Sequence, residues 1–319
     1  MPVSTTYSIV AKKENAHSDS LYCCSWVTSC DQGDTRNAKN YIATGGLDGL
    51  IKVWTFENDQ LQLLNTMDGH NGMAIVSIAI SPNAETVAST SIDSTLIIWD
   101  VSTGKMYNRV ETIKDAWLVA YSPDAKYIAT GGHTGKILIY SVDDRDTDRV
   151  LDTRGKFALC VAWSSDGRLI ASGAEDGAVY IMDVEQRKVL HSIPPRGETA
   201  RGVAFSRNTS LLVVSGGDYV YTYDVASGDL RHKMDMKTWA LGVCFSADGL
   251  CIAVGLGDGS VRLLQTDGLT TLHTFKEHTD MAWGVNYNAD GSKLLSVSKD
   301  KAMVIYECPP AKANKKQIK

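Results

Sequence analysis

The stretch Val87-Ala-Ser-Thr-Ser-Ile-Asp-Ser-Thr-Leu-Ile-Ile-Trp-Asp100 decides the fold of this chain. Its first residues are β-prone, Asp93 and Ser94 supply turn chemistry, and the run from Thr95 to Trp99 is β-branched and apolar. This order of residue types predicts a β-hairpin whose second strand ends at Trp99 and Asp100.

The ending of this hairpin recurs along the chain. A large side chain closes an apolar run that follows a turn containing Gly or Asp at Trp54, Trp99, Tyr140, Met182, Tyr223, Leu264 and Tyr306. Successive positions lie 41 to 45 residues apart. A fixed period of this length is typical of a β-propeller, in which each repeat forms one blade. The sequence therefore predicts an all-β fold, a seven-bladed propeller in a single domain.

The two ends of the chain predict how the ring closes. The last repeat stops after Ile305 and Tyr306 without a fourth strand, whereas Tyr7 to Val10 is a strand candidate that precedes the first full repeat. We expect the N-terminal strand to complete the last blade, because closure removes an exposed sheet edge. Residues 1–310 then form the propeller. Residues 311–319 carry four lysines and little to bury, and we expect them to be a disordered basic tail.

Composition narrows the function classes. The 319 residues include 32 Lys and Arg against 37 Asp and Glu, a formal charge of −5 that gives no broad footprint for nucleic acid. The seven Cys are scattered without metal-ligand spacing, and no zinc, calcium or phosphate-loop pattern occurs, so no metal or cofactor is expected. With no apolar signal segment at Met1 and no run long enough to span a bilayer, we expect a reducing compartment and no membrane association.

Two sets of polar residues match the hydrogen-bonded tetrad of WD-repeat propellers. They are His17, Thr44, Asp48 and Trp54 in the first blade, and His70, Ser89, Asp93 and Trp99 in the second. His can donate to Asp and accept from Ser or Thr, whose oxygen accepts from the indole N–H, so every buried polar group is satisfied. A Ser-His-Asp hydrolase uses the same residue types, but here the set repeats per blade and the hydroxyl lies within a strand. We therefore expect no enzyme.

The tetrad pattern weakens in the later blades. The seventh blade keeps His278, Ser296 and Asp300 but has Tyr306 in place of Trp. The third to sixth blades lose the His, and we expect packing alone to hold their hairpins.

Surface recognition is the remaining function class, and the residues that lead into the inner strands are its best candidates. They form an aromatic-rich group on what should be the upper face of the ring, here called the mouth cluster: Tyr22, Asp115, Trp117, Phe157, Arg201, Trp239 and Trp283. Trp is enriched in interface anchors, but it is also mostly buried, so packing between blades is the competing interpretation.

Several runs carry a more specific resemblance: Glu14-Asn-Ala-His17, Asp115-Ala-Trp117, Leu151-Asp-Thr-Arg-Gly-Lys-Phe157, Trp283-Gly-Val-Asn-Tyr-Asn-Ala-Asp-Gly-Ser-Lys293 and Ile305-Tyr-Glu-Cys308. With these runs the chain resembles the WD-repeat subunit of the superkiller complex over essentially the whole ring. The departures are local. Arg196-Gly-Glu198 replaces a Gly-His, the turn at Gly217 is one residue short, and Leu264 replaces an aromatic residue.

The resemblance implies a non-enzymatic scaffold. In that family the subunit joins a tetratricopeptide-repeat protein and an RNA helicase that feed messenger RNA to the cytoplasmic exosome. In animals and plants it also joins the polymerase-associated-factor complex in the nucleus, which acts in transcription elongation and histone modification. The implied partners are therefore subunits of these two complexes, in the cytoplasm and the nucleus, with no direct contact to nucleic acid.

Two other binding functions stay open. A nucleic-acid binder would need basic residues beside stacking aromatics. A small candidate is the group of Arg154, Lys156 and Arg201 near Phe157 and Trp117. A histone-tail reader would need an acidic or aromatic cage, for which Glu175 and Asp115 are the acidic candidates.

Overall fold

The computed structural model of the protein describes residues 6–29, 38–111, 116–144 and 147–309. In these residues the regular elements are 28 β-strands, which form seven antiparallel sheets of four strands each. The described part of the chain has no helix long and apolar enough to cross a membrane. The all-β, seven-bladed propeller is confirmed.

Six blades are consecutive in sequence, each running from its inner to its outer strand. Blade 1 is β2 (Leu21–Ser29), β3 (Lys39–Gly46), β4 (Ile51–Glu57) and β5 (Gln60–Met67). Blade 2 is β6 (Ile75–Ile80), β7 (Thr86–Ser91), β8 (Thr95–Asp100) and β9 (Met106–Glu111). Blade 3 is β10 (Val119–Tyr121), β11 (Tyr127–Gly131), β12 (Lys136–Ser141) and β13 (Thr147–Asp152).

The remaining blades follow the same order. Blade 4 is β14 (Ala158–Trp163), β15 (Leu169–Ala174), β16 (Val179–Asp183) and β17 (Lys188–Ile193). Blade 5 is β18 (Ala200–Phe205), β19 (Leu211–Gly216), β20 (Tyr219–Asp224) and β21 (Leu230–Asp235). Blade 6 is β22 (Ala240–Phe245), β23 (Cys251–Leu256), β24 (Val261–Gln265) and β25 (Thr271–Phe275). Blade 7 is β26 (Ala282–Tyr287), β27 (Lys293–Ser298), β28 (Met303–Glu307) and β1 (Ser8–Lys13).

The ring closes through its first strand. β1 pairs with β28 from Ser8 opposite Glu307 to Lys13 opposite Met303. Tyr7, just before this strand, stacks on His273 of blade 6 with ring centroids 4.5 Å apart. The predicted closure by the N-terminal strand is confirmed, and both ends of the propeller are fixed in one sheet. The predicted basic tail, residues 311–319, lies outside the described residues.

The hairpin of blade 2 shows why these sequences turn where they do. Val87 pairs with Trp99 across β7 and β8, as the sequence pattern predicts. In the turn, Asp93 accepts the backbone N–H of Thr95 at 2.9 Å, and Ser94 has a φ of 65°. A short polar side chain that bonds locally stabilises such a turn, because it satisfies a backbone donor that the strands leave free.

The hydrophobic core lies between the blades rather than at the centre of the ring. One cluster joins Ile51 and Val53 of blade 1 to Ile78, Ile97 and Trp99 of blade 2. The same arrangement recurs around the ring, and a cluster containing Trp54 and Ile305 joins blade 1 to blade 7. Because each blade buries its faces against two neighbours, the inner strands are free to surround a central cavity.

Candidate functional site

The central cavity opens on the upper face, the end of the ring where the inner strands begin. Its volume is about 560 Å³, and residues of all seven inner strands line it. Four members of the mouth cluster lie in this lining: Tyr22, Trp117, Arg201 and Trp283. The structure therefore brings together side chains that are up to 261 residues apart in sequence, because each of them occupies an equivalent place in its blade.

The six described members of the mouth cluster form three contacting pairs. Tyr22 and Trp283 meet edge to face across the closure, with ring centroids 5.5 Å apart. Trp117 meets Phe157 edge to face at 5.9 Å. Arg201 places its guanidinium carbon 5.4 Å from the ring centroid of Trp239, a cation–π contact. These contacts limit the rotamers of the side chains, so a ligand would meet a largely pre-ordered surface.

The exposed fractions of Trp117 and Trp239 show whether these side chains pack between blades or face solvent. Trp239 is 49% exposed and Trp117 is 38% exposed, so neither is packed away between blades. Tyr22, Phe157, Arg201 and Trp283 are half-buried. Large aromatic side chains that remain open to solvent around a cavity are typical of binding surfaces.

Phe157 and Trp239 do not line the cavity, and each packs against a member that does. Asp115 lies outside the described residues. The structure adds His133, which meets Phe157 edge to face at 4.7 Å. Its only sequence signal is its place in the turn that follows Gly131 and Gly132.

Three exposed apolar residues that the sequence did not predict as part of the site extend the mouth cluster over blades 1 and 2. Leu47, Met73 and Ile92 are exposed on the upper face, and Ile92, at 56% exposure, also lines the cavity. The sequence does mark these positions, since each is an apolar residue within an otherwise polar turn or loop. The upper face thus offers an apolar region at blades 1 to 3 and a fixed cation at blade 5.

The predicted tetrads form hydrogen-bonded sets inside their blades. In blade 1, His17 Nδ1 lies 3.0 Å from Asp48, His17 Nε2 lies 2.9 Å from Thr44 Oγ1, and the indole N–H of Trp54 donates to that hydroxyl at 2.9 Å. In blade 2, Ser89 Oγ lies 2.8 Å from both His70 Nε2 and Trp99 Nε1. Blade 7 completes its tetrad with Tyr306, whose hydroxyl lies 3.1 Å from Ser296 Oγ.

The tetrads of blades 1 and 7 also keep their carboxylates charged. Burial by itself raises the pKa of Asp48, but the hydrogen bond and charge of His17, with the N–H groups of Leu50 and Ser18, lower it to about 2. The pKa of Asp300 is likewise about 2, because the contacts of His278 outweigh burial. Burial lowers the pKa of His70, so this imidazole is neutral at pH 7 and can accept from Ser89.

Blades 4 to 6 replace the tetrad in different ways. In blade 6, Met236, Val254 and Leu264 take the corresponding places and pack in one apolar cluster. In blade 4, Met182 replaces the aromatic residue, and the hydroxyl of Ser172 is buried without a partner among the described residues. In blade 5 the expectation of packing alone is wrong, because Arg196 Nε donates to the Tyr223 hydroxyl at 3.1 Å.

Several buried polar and nucleophilic groups are either held in hydrogen bonds or kept protonated. The hydroxyls of Thr44 and Ser89 lie fully inside the blades, within the bonds just described. Burial raises the pKa of the Cys160 and Cys244 thiols to about 12, which keeps them protonated at neutral pH. Over the described ranges, no group of three or more His, Cys, Asp or Glu could hold a metal ion. The exposed aromatic side chains of the mouth cluster can bind a ligand.

Comparison with known proteins agrees with this geometry. The family profile described as the IFT122 first beta-propeller matches residues 56–307, and that of the WD domain, G-beta repeat, matches residues 10–55. The WD repeat-containing protein SL1-17 of Schistosoma mansoni is 31% identical over 347 aligned positions, covering 95% of this chain and 99% of that protein.

Two shorter similarities involve other species. The WD repeat-containing protein VIP3 of Arabidopsis thaliana is 31% identical over 37% of this chain and 35% of its own length. The meiotic recombination protein rec14 of Schizosaccharomyces pombe is 26% identical over 48% of each chain.

Proposed function

The chain belongs to the WD-repeat β-propeller family, and on that premise we propose that it is a non-enzymatic scaffold that binds partner proteins through its mouth cluster. Propellers of this family generally serve as protein-interaction scaffolds. The observation that carries the proposal is the exposure of Trp117 and Trp239 beside a cavity of about 560 Å³. Aromatic anchors of this kind contribute most of the binding energy in many interfaces.

The mouth cluster fits a short segment with an apolar anchor and an acidic or carbonyl group. The anchor would insert between Trp117 and Trp283, where the cavity wall is apolar. The oxygen would meet Arg201, whose guanidinium is already held against Trp239. Because the three pairs are ordered before binding, little side-chain entropy would be lost.

Within this class, we assign the chain to the superkiller complex, as the subunit that joins the tetratricopeptide-repeat scaffold and the RNA helicase in exosome-mediated messenger RNA decay. The polymerase-associated-factor complex is the second assembly, with roles in transcription elongation and histone modification. The support is the set of sequence runs that resemble that subunit, among them Leu151 to Phe157. Cytoplasmic and nuclear locations follow from these two assemblies.

The two alternatives have less support. A cage for a cationic histone side chain needs an open aromatic face, but Arg201 already covers Trp239. A nucleic-acid site would rest on Arg154, Lys156 and Arg201, a small basic group on a chain of net charge −5. An extended backbone with regular phosphates would meet few cations here.

Affinity purification tests the proposal. The tagged chain is recovered from cytoplasmic and nuclear extracts, and its companions are identified by mass spectrometry. We expect the tetratricopeptide protein and helicase from the cytoplasm and elongation-complex subunits from the nucleus. An Arg201→Ala/Trp283→Ala variant should lose them, whereas Leu190→Ser, on the outer strand of blade 4, should keep them. Recovery of neither assembly by the wild-type chain would contradict the assignment.

A further inference from the structure

A second cavity lies on the lower face, the end of the ring opposite the mouth cluster. It spans blades 1 to 3 and has a volume of about 710 Å³. Its floor consists of two kinds of turn, those between the first and second strands of blades 2 and 3 and those that follow the third strands. We call this cavity the lower groove and define it by Leu64, Glu85, Asp100, Tyr107, Asp124 and Asp143.

The walls of the lower groove are exposed apolar side chains of two outer strands. Leu64 is 42% exposed and Tyr107 is 54% exposed. Each is the extra residue of a β-bulge on an outer strand, opposite Trp54 in blade 1 and Trp99 in blade 2. The corresponding residue is charged in blades 3 and 5, as Asp148 and Arg231, whereas blades 4 and 6 have exposed leucines there. Blades 1 and 2 also leave the sheet edge apolar and open.

Four carboxylates surround these walls, and neutral donors hold them in place. Asp143 accepts the Tyr107 hydroxyl at 3.0 Å, and Asp124 accepts the Ser122 hydroxyl at 2.5 Å. Asp100 accepts the Thr103 backbone N–H at 2.7 Å. Glu85 accepts the side-chain amide of Asn83 at 2.7 Å.

The charge of the lower groove is therefore not neutralised. None of the four carboxylates forms an ion pair within the part of the chain that the structure describes, and Lys126 is the single cation in the described lining. Hydrogen bonds from the Ser102 and Thr103 hydroxyls lower the pKa of Asp100, so it stays ionised at neutral pH. An occupant must bring positive charge as well as apolar surface.

We propose that the lower groove docks an extended segment of a partner protein in which apolar side chains alternate with arginine or lysine. The apolar side chains pack between Leu64 and Tyr107, and the cations meet Asp100, Asp124 and Asp143. Because the groove is negatively charged, it would repel the phosphate backbone of a nucleic acid. Since the groove and the mouth cluster lie on opposite faces, the ring can hold two partners at once, and this docking does not depend on the function of the mouth cluster.

The test uses a short fluorescein-labelled peptide in which arginine alternates with leucine, and fluorescence anisotropy to follow its binding to the full chain. A peptide with glutamate in place of arginine is the charge control. Two variants alter the groove: Asp124→Asn/Asp143→Asn removes charge, and Leu64→Ser/Tyr107→Ser removes the apolar walls. Asp166→Asn and Leu190→Ser are matched controls, because they occupy the same places in blade 4.

We expect saturable binding of the arginine peptide, no binding of the glutamate peptide, and a loss of at least about tenfold in affinity for both groove variants. The blade 4 controls should stay within about twofold of the wild type. Wild-type affinity in the Leu64→Ser/Tyr107→Ser variant, or an equal loss in the controls, would overturn the proposal, because attraction to general surface charge would then explain the binding. Tighter binding by a chain that ends at residue 310 would also overturn it, since the lysines of residues 311–319 would then be the occupant.

Discussion

Arg196 and Tyr223 form a polar link that replaces the tetrad of blade 5. The Nε of Arg196 donates to the Tyr223 hydroxyl at 3.1 Å, and its guanidinium carbon lies 5.9 Å from the centroid of that ring. Arg196 stands four residues before the inner strand, as His17 and His278 do in their blades. Val214 occupies the place of the bridging hydroxyl, and the longer side chain of arginine reaches past it to the phenol.

This link predicts that Arg196→Ala destabilises the fold by about 1 to 3 kcal/mol, because it leaves a buried phenol without a partner. In a Tyr223→Phe background the same change should cost clearly less, since no hydroxyl remains to be satisfied. Urea unfolding of the four chains measures the coupling directly. Equal costs in the two backgrounds would show that the hydrogen bond contributes nothing and that only the packing of Arg196 on Tyr221 matters.

The tetrad of blade 2 gives a second prediction. His70→Ala should lower the free energy of unfolding by about 1 to 3 kcal/mol, because Ser89 and Asp93 each lose a buried partner. His232→Ala, at a half-exposed outer-strand site, is the matched control and should change it by no more than about 0.5 kcal/mol. Partner binding by the folded fraction should persist. Loss of binding with an unchanged unfolding curve would instead make His70 a contact residue.

Acid should destabilise the propeller through Asp48 and Asp300. Their pKa is about 2 in the folded chain, against about 3.9 when unfolded, so the unfolded chain takes up protons first as the pH falls. The stabilisation is fully present above about pH 5 and is lost toward pH 2, at most about 3 kcal/mol for each group. The Asp48→Asn/Asp300→Asn variant should be less stable at pH 7 but show a flatter decline from pH 5 to pH 2. Urea midpoints measured from pH 5 to pH 2 test this prediction. An identical decline of the midpoint with pH in the two proteins would show that Asp48 and Asp300 are not the groups responsible.

The mouth cluster should behave as a binding hot spot. We expect Trp117→Ala or Trp283→Ala to weaken binding to the tetratricopeptide partner by about 2 kcal/mol or more, measured by titration calorimetry. Circular dichroism melting must accompany the titration, because Trp283 is half-buried and its loss also removes the contact with Tyr22. Wild-type affinity in folded variants of Trp117, Arg201 and Trp283 would exclude the cluster and place the site elsewhere on the ring.

The closing strand gives the last stability prediction. Deleting residues 1–10 removes the first half of β1 and the stack of Tyr7 on His273. The edge of β28 then becomes exposed, and the thermal midpoint should fall by several degrees, on the order of 4 °C. Differential scanning calorimetry checks this, with a Tyr7→Ala variant to separate the stack from the strand. An unchanged midpoint would mean that β1 adds no stability.

The sequence predicted the ring, the closing strand and the three tetrads because each depends on spacing within one repeat. The hairpin from Val87 to Asp100 contains its own turn chemistry, so its register follows from local residues. The pairs of the mouth cluster were only partly predictable. The order of the blades predicts that Tyr22 and Trp283 lie side by side. The stacking of Arg201 on Trp239 depends on side-chain rotamers, which the sequence does not predict.

The link between Arg196 and Tyr223 escaped prediction for a different reason. A sequence pattern that requires His at this position does not detect Arg196, whose longer side chain bonds to Tyr223 instead. The lower groove escaped because its apolar walls are bulge residues. In an outer strand without a bulge, alternation would turn one of Leu63 and Leu64 inward, but the register shift at Trp54 leaves both exposed.

The pairing of β1 with β28 also constrains how the chain is made. Ser8 is synthesised long before Glu307, so the strand that completes blade 7 must wait for its partner until the intervening blades have been made. Bringing together segments so distant in sequence is a slow, non-local step. Blades 1 to 6 can form in order as they are synthesised, and the ring closes only once β28 is available, which leaves an interval when β1 and the faces of the first and last blades are open to chaperones.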